Sequence, residues 1–277
     1  MTTLCRTFTG LLCFTIFVAA SSQAQTTTAA QEPYKPTVGQ QGKDVVWVPS
    51  TEAMVQKMLD HAKVTADDFV MDLGSGDGRT IIAAAKRGAR ALGVEFNAEL
   101  VEFSKRQAAA AGVGEKAMFV QGDMYEADIS KATVLALFLL PHNLEKLVPK
   151  FLDLPAGSRI VANTYWVSDW SPDDTQELTE NCESWCTSHL LFIPAKVQGE
   201  WRAPNGTLAL TQKYQMVEGT FSPTSGSPVP VKGRLRGTQL TLSVGAREYE
   251  GTVNGETLEG SEKGVPSAPK LTATRVK

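Results

Sequence analysis

Asp72-Leu73-Gly74-Ser75-Gly76-Asp77-Gly78-Arg79 decides how this chain is read. The stretch follows an apolar run, Phe69-Val70-Met71-Asp72-Leu73, and precedes Ile81, Ile82 and Ala85, which recur at helical spacing. Three glycines between a buried strand and a helix let the backbone turn sharply and approach a ligand with no Cβ in the way. The free N–H groups at the start of the helix favour a negatively charged group.

Working outward, strand and helix signals alternate. Ala91 to Glu95, Ala117 to Val120, Thr133 to Leu140 and Arg159 to Ala162 read as four further strands. Between them, Leu100, Val101, Ser104 and Ala108 mark one helix, and Leu144, Leu147, Val148 and Phe151 another. Upstream, Met54, Val55, Met58, Leu59 and Ala62 form a helix for which Ser50 reads as the N-cap. Apolar runs this continuous, alternating with helices, predict a parallel α/β sheet covered on both faces. After Pro194 the texture changes to short strands punctuated by Gly and Pro. GRLRGTQL from Gly233 and GTVNGETL from Gly251 form a weak doublet, with Gly237 and Gly255 at hairpin-turn positions. This predicts a small antiparallel β meander over 197–277, beside an α/β domain over 44–196.

The ligand class follows from acids at successive strand ends. The dinucleotide fingerprint G-x-G-x-x-G fails, because the sixth position from Gly74 is Arg79. Glu95 closes the second strand, where a carboxylate accepts from two ribose hydroxyls. Asp123 follows the third in GDMYEAD. The pattern D-x-G-x-G-x-G resembles the first motif of class I, seven-strand, S-adenosylmethionine-dependent methyltransferases. The resemblance implies a Rossmann-like seven-strand sheet with helices on both faces. It also implies S-adenosylmethionine as cofactor, held by Asp72, Gly74, Ser75, Gly76, Asp77, Gly78, Glu95, Asp123 and Met124. In that family the leading acid, here Asp72, lies near the amino group of the methionine moiety, and the third-strand acid, here Asp123, commonly meets the adenine amine.

DVVWVPSTEAMV, DLGSGDGRTIIAAAKRGARALGVEFN, FLLP and RIVANTYWVSDW narrow the resemblance. Over roughly residues 35–195 the chain is similar to a bacterial group related to the lysine methyltransferases of the ATP synthase c-subunit, and more remotely to the non-SET histone lysine methyltransferases. KVQGEW and LTATR resemble the tail of exported members of that group. The family's usual Thr-Pro after Val-Pro is Ser50-Thr51 here. No N/D-P-P-Y tetrapeptide follows the fourth strand, where Phe138-Leu139-Leu140-Pro141 stands. This disfavours acceptors such as Gln, Asn or an adenine amine.

A protein lysine is therefore the acceptor the resemblance implies. Small-molecule methylation and a non-catalytic exported binding module are the alternatives. An amine acceptor must lose its proton, which an apolar, aromatic-walled channel beside a sulfonium promotes. Trp47, Phe138 and Tyr165 are the main candidates for such walls, with Tyr125 and Trp166 behind them; each also reads as ordinary core. His142 is a candidate general base or a surface histidine.

The ends bound the compartment. Arg6, the apolar run Leu11 to Val18, and Ser22-Gln23-Ala24 lay out a cleaved secretory signal over 1–24, with an uncleaved anchor as the alternative. The apolar run is shorter than the roughly 20 residues that cross a bilayer. Residues 25–43 read as a polar linker or arm, and the mature chain is expected to be exported without a transmembrane segment. With net charge −3, no nucleic-acid partner is expected. Cys182 and Cys186 cannot build a four-ligand zinc site alone, so no metal site is expected. They bridge if the chain turns between them, and otherwise remain two thiols. The seven-strand fold implies that turn, in a hairpin of strands near Thr175–Thr179 and Ser188–Pro194.

Overall fold

A computed structural model describes residues 1–3, 34–180, 182–265 and 270–276. Most of the signal and the first part of the arm lie outside the described residues.

Seven strands form the first sheet: β1 Phe69–Leu73, β2 Arg90–Glu95, β3 Ala117–Gln121, β4 Val134–Leu137, β5 Arg159–Asn163, β6 Asp174–Glu177 and β7 Thr187–Phe192. Their order is β3-β2-β1-β4-β5-β7-β6. The first five strands pair in parallel, and β7 runs antiparallel between β5 and β6. The carboxyl ends of β1, β2, β4 and β5 therefore share one edge, where open α/β sheets bind ligands. Helices α1 Glu52–His61, α2 Arg79–Lys86 and α3 Ala98–Ala110 supply one buried cluster with Met54, Leu59, Ile81 and Val101. Helix α4 Pro141–Leu152 supplies the other with Leu144, Leu147 and Phe151. Both faces are covered, as the continuous apolar runs require.

Several element boundaries differ from the sequence reading by local chemistry or by a residue. Thr51, not Ser50, caps α1, its hydroxyl accepting from Met54 N at 3.1 Å. Ser50 is buried, and its Oγ accepts from Asn163 Nδ2 at 2.9 Å, which ties the start of α1 to the end of β5. The fourth strand stops at Leu137, because the next residues leave the ladder and line a cleft. The third runs one residue further, to Gln121.

The C-terminal unit is a closed barrel, where the sequence predicts only a meander. Its strands are β8 Gly199–Ala203, β9 Gly206–Lys213, β10 Met216–Pro223, β11 Val229–Arg236, β12 Gln239–Val244, β13 Arg247–Asn254, β14 Thr257–Glu262 and β15 Leu271–Arg275. Consecutive strands pair antiparallel, and β15 closes on β8. Gly237 and Gly255 take φ 61° and 57° in the β11–β12 and β13–β14 turns, a conformation that favours glycine. Closure removes the exposed edges a meander would leave. Trp201, Leu235, Val217 and Val231 fill the interior.

The barrel leans on the α/β domain at several points. Tyr214 stacks on the fully buried Trp170 with centroids 4.6 Å apart. Gln215 Nε2 donates to Ser171 O at 2.6 Å, and Arg234 pairs with the buried Asp173 carboxylate at 2.7 Å. Truncation after Ala195 would strip these partners, so the remaining domain is expected to melt lower. Among the described residues, none from the barrel lines the cofactor cleft described below. The truncated domain's cofactor affinity is therefore expected to stay within about tenfold of the full chain. Calorimetry on a truncated domain still folded by circular dichroism checks this; complete loss of binding would show that the barrel completes the pocket.

Cys182 and Cys186 are joined by a disulfide, with Cα atoms 5.9 Å apart, in the connection between β6 and β7. A loop this short constrains little of the unfolded chain, so the bridge contributes about 1–2 kcal/mol. Cys182→Ser is expected to lower the melting temperature by only a few degrees. Thiol counting on denatured, unreduced protein lacking residues 1–24 is expected to find none free.

Candidate cofactor and acceptor site

The glycine loop is tied down from three sides. Gly74 N and Ser75 N both donate to Val94 O, at 2.8 and 3.0 Å. Gly76 N donates to Glu95 Oε2 at 2.9 Å, and Ser104 Oγ donates to Gly76 O at 3.0 Å. Gly76 has φ 56°, and a Cβ there would meet the Trp47 indole nitrogen at 2.4 Å, so only glycine lets Trp47 lie on the loop. Gly78 is the N-cap of α2 at φ 81°. Asp77 makes its contacts within the loop. Its carboxylate accepts from Arg79 Nε and Nη2, while Arg79 Nη1 donates to Ser50 O at 2.6 Å. Asp77 thus locks Arg79 as a strut between the loop and the Val48-Pro49-Ser50 segment.

One cleft collects Gly74, Glu95, Asp123 and Met124 with Trp47 and Phe138. Glu95 accepts from Gly76 N and also from Asn97 N, 2.9 Å each, fixing its carboxylate at the tip of β2. Asp123 accepts from Tyr125 N at 2.9 Å and pairs with Lys43. The Lys43 ammonium first, and the Tyr125 N–H second, hold the Asp123 carboxyl below the usual carboxylate range. Asp72 and Ser75 are buried and lie outside the lining of the cleft. Asp72 is only 6% exposed, and burial first, then the charge of Glu95, push its carboxyl up to about 8; a hydrogen bond from the Thr80 side chain acts the other way.

The arm over residues 34–48 is part of this site. Gly39 N donates to Trp47 O, and Trp47 N to Gln40 O, 2.9 Å each, closing a small loop over the cleft. Tyr34 packs edge-on against Phe103 of α3. Lys43 lies over the Phe96 ring, 5.1 Å from its centroid. Sequence reading missed Lys43, because nothing in a polar arm says where its charge lands. It also missed Gly93, where a Cβ would strike Ser75 Oγ and Phe119.

The aromatic candidates divide. Phe138 and Tyr165 stack nearly parallel, with centroids 6.2 Å apart and planes 10° apart. Tyr125 instead braces α4, its hydroxyl accepting from Asn143 Nδ2 at 2.7 Å. Trp166 donates from Nε1 to Trp170 O and packs in the core. His142 is exposed in the first turn of α4 and away from the cleft lining, so nothing there supports it as a base.

The cleft fits S-adenosylmethionine on its own features. Its lining offers the strand-end carboxylate of Glu95 for hydroxyls, the Asp123 carboxylate for an amine, and Gly74 as a side-chain-free approach to the backbone, while Asp72 is buried on the strand that leads into the glycine loop. Together with the strand order, this defines a class I S-adenosylmethionine-dependent methyltransferase.

Known proteins agree. The ANTKMT methyltransferase domain matches residues 72–174. A protein-lysine N-methyltransferase of Saccharolobus islandicus is 42% identical over 133 residues, covering 47% of this chain and 83% of that protein. The mouse lysine N-methyltransferase of the ATP synthase c-subunit is 35% identical over 133 residues, covering 47% of this chain and 52% of the mouse protein, so the match spans about half of that relative's length. An RNA methyltransferase from Salinibacter ruber, solved with S-adenosyl-L-homocysteine, is 39% identical with a TM-score of 0.51, covering 54% of this chain and 96% of that one. This chain belongs to the family of the Saccharolobus protein-lysine N-methyltransferase.

Proposed function

We propose that the chain methylates a lysine amine of a protein, outside the cytosol. The observation that carries the acceptor class is the stacked Phe138–Tyr165 pair at the ends of β4 and β5, with Phe138 also lining the cofactor cleft. An apolar aromatic wall there disfavours the charged form of an approaching amine. The lysine methyltransferases among the relatives support the same class.

Bound S-adenosylmethionine supplies an electrophilic methyl group on a sulfonium. The chain's own residues do the positioning. Asp72 would hold the amino group of the methionine moiety, Glu95 the ribose hydroxyls, and Asp123, which pairs with Lys43, the adenine amine. The glycine loop lets the ligand lie close to the backbone. Alignment of the two reactants supplies most of the rate.

Calorimetry with S-adenosylmethionine, followed by methyl-label transfer to an envelope extract, tests the reading. Label in protease-sensitive material, released as methyl-lysine on hydrolysis, supports it. Label removed by ribonuclease would favour the alternative raised by the Salinibacter relative. Binding without transfer would favour a non-catalytic module.

Export rests on the signal-like segment over 1–24 and on a disulfide suited to an oxidising compartment. Among the described residues, no helix is long and apolar enough to cross a membrane. Cleavage after Ala24 leaves 277 − 24 = 253 residues. Intact mass of protein from the envelope fraction is expected to show that species; a full-length cytosolic protein would overturn export.

A further inference from the structure

A second cavity lies beside the cofactor cleft. Pro49, Ser50 and Thr51 form one side, and Cys182 to Trp185 form the other, with Asn163 also in its lining. Its volume of about 640 Å³ falls within the roughly 300–1,000 Å³ of ligand sites. The two hollows have neighbouring walls. Trp47 faces the cofactor cleft, and Pro49, two residues on, faces the second cavity. Phe138 lines the cleft and meets Trp185 edge-on, centroids 5.8 Å apart, while Trp185 lines the cavity.

Two strained residues aim this wall. Thr164 and Trp185 both have φ 58°, a left-handed conformation uncommon for any residue with a Cβ and rarer still for a β-branched or bulky one. Such backbone persists where surrounding contacts over-determine it, and it clusters at functional sites. Thr164 N donates to Thr187 O at 2.7 Å, and its carbonyl pairs with His189 Nε2 at 3.0 Å, which turns Tyr165 out at the end of β5. Trp185 lies between the two bridged cysteines, and its Nε1 donates to the Tyr165 hydroxyl at 3.3 Å. This large aromatic is nevertheless 41% exposed, so its position is not explained by core packing.

We propose that this cavity is the mouth through which the acceptor reaches the cofactor, and that Trp185, held by the Cys182–Cys186 bridge, is its specificity-determining wall for a lysine side chain. This rests on the lysine reading above. The aromatic face of Trp185 suits the apolar stem of lysine and leads its amine toward the apolar wall of Phe138 and Tyr165.

The test uses full-length protein loaded with S-adenosylhomocysteine. N-acetyl-lysine methylamide is titrated by saturation-transfer NMR, with N-acetyl-norleucine methylamide as control. Trp185→Ala and the double variant Cys182→Ser, Cys186→Ser are each expected to weaken the lysine probe at least fivefold. Trp185→Phe should restore most of that affinity, and S-adenosylhomocysteine affinity should stay within twofold throughout. Unchanged lysine affinity in Trp185→Ala, or a parallel fall in cofactor affinity, overturns the proposal. Wild-type protein that ignores the lysine probe overturns the lysine reading instead. The acceptor found by methyl-label transfer then replaces the probe, and the cavity assignment stands only if KM rises at least fivefold in the same variants. Neither probe binding nor label transfer would overturn both.

Discussion

Glu95→Ala is expected to weaken S-adenosylmethionine binding by roughly 30- to 150-fold while the protein stays folded. Removing charge-assisted hydrogen bonds to two ribose hydroxyls costs about 2–3 kcal/mol, which converts to that range. Glu95 also accepts from Gly76 N and Asn97 N, so the variant unties the middle of the glycine loop as well as its ligand partner. Glu95→Gln separates the two contributions. Its side-chain oxygen can still accept from one of these N–H groups, but the charge is gone, so it should fall between wild type and Ala. Isothermal calorimetry reads the affinity, and the melting curve without ligand reads the loop. If folded Glu95→Ala binds S-adenosylmethionine like wild type, the ribose assignment is wrong.

The sheet was legible because its central strands β1, β4 and β5 are buried on both faces, whereas β3 at the edge leaves Met118 and Val120 exposed. Runs such as Val134 to Leu137, all four buried, cannot come from a one-sided sheet. The cofactor side of the site was legible for a related reason. Glycines at a strand–helix turn and acids at strand ends are local signals, and parallel topology brings consecutive strand ends together without further information.

What stayed illegible depended on contacts across long stretches of chain. Ser50 and Thr51 are both competent caps, and only the pairing of Ser50 with Asn163, 113 residues away, decides between them. Lys43 reaches Asp123 across 80 residues from an arm with no periodicity. Closure of the barrel needed the pairing of β8 with β15, which no local repeat encodes. The wall around Trp185 depends on a strained turn, and nothing in Glu-Ser-Trp announces a positive φ. The hairpin and its bridge were legible only through the fold resemblance, since the cysteine spacing alone permits two free thiols.

Cofactor uptake near neutral pH is expected to release about one proton, and that proton comes from Asp72. Burial and the neighbouring Glu95 charge place this carboxyl at about 8 in the free protein, against 3.8 for an ordinary aspartate. Below pH 8 the free folded protein therefore holds Asp72 mainly neutral. The unfolded chain ionises it above about pH 4. A folded-state value raised above the unfolded one stabilises the fold fully only at low pH. That contribution fades as pH rises from about 4 and is gone above about 8, so the ligand-free protein should lose stability across this window. Asp72→Asn should flatten the loss. Binding reverses the preference, because the cationic amino group of S-adenosylmethionine favours the ionised carboxylate. Affinity should then rise by up to about tenfold per pH unit from about pH 6 toward 8, and fall again above as the ligand's own amino group loses its charge. Calorimetry at pH 7 in buffers of different ionisation enthalpy counts the released proton directly. Asp72→Asn should bind weakly, with the proton release and the pH dependence both lost. Heats of binding that do not change with buffer would mean that Asp72 is already ionised in the free protein, or that it never meets the amine.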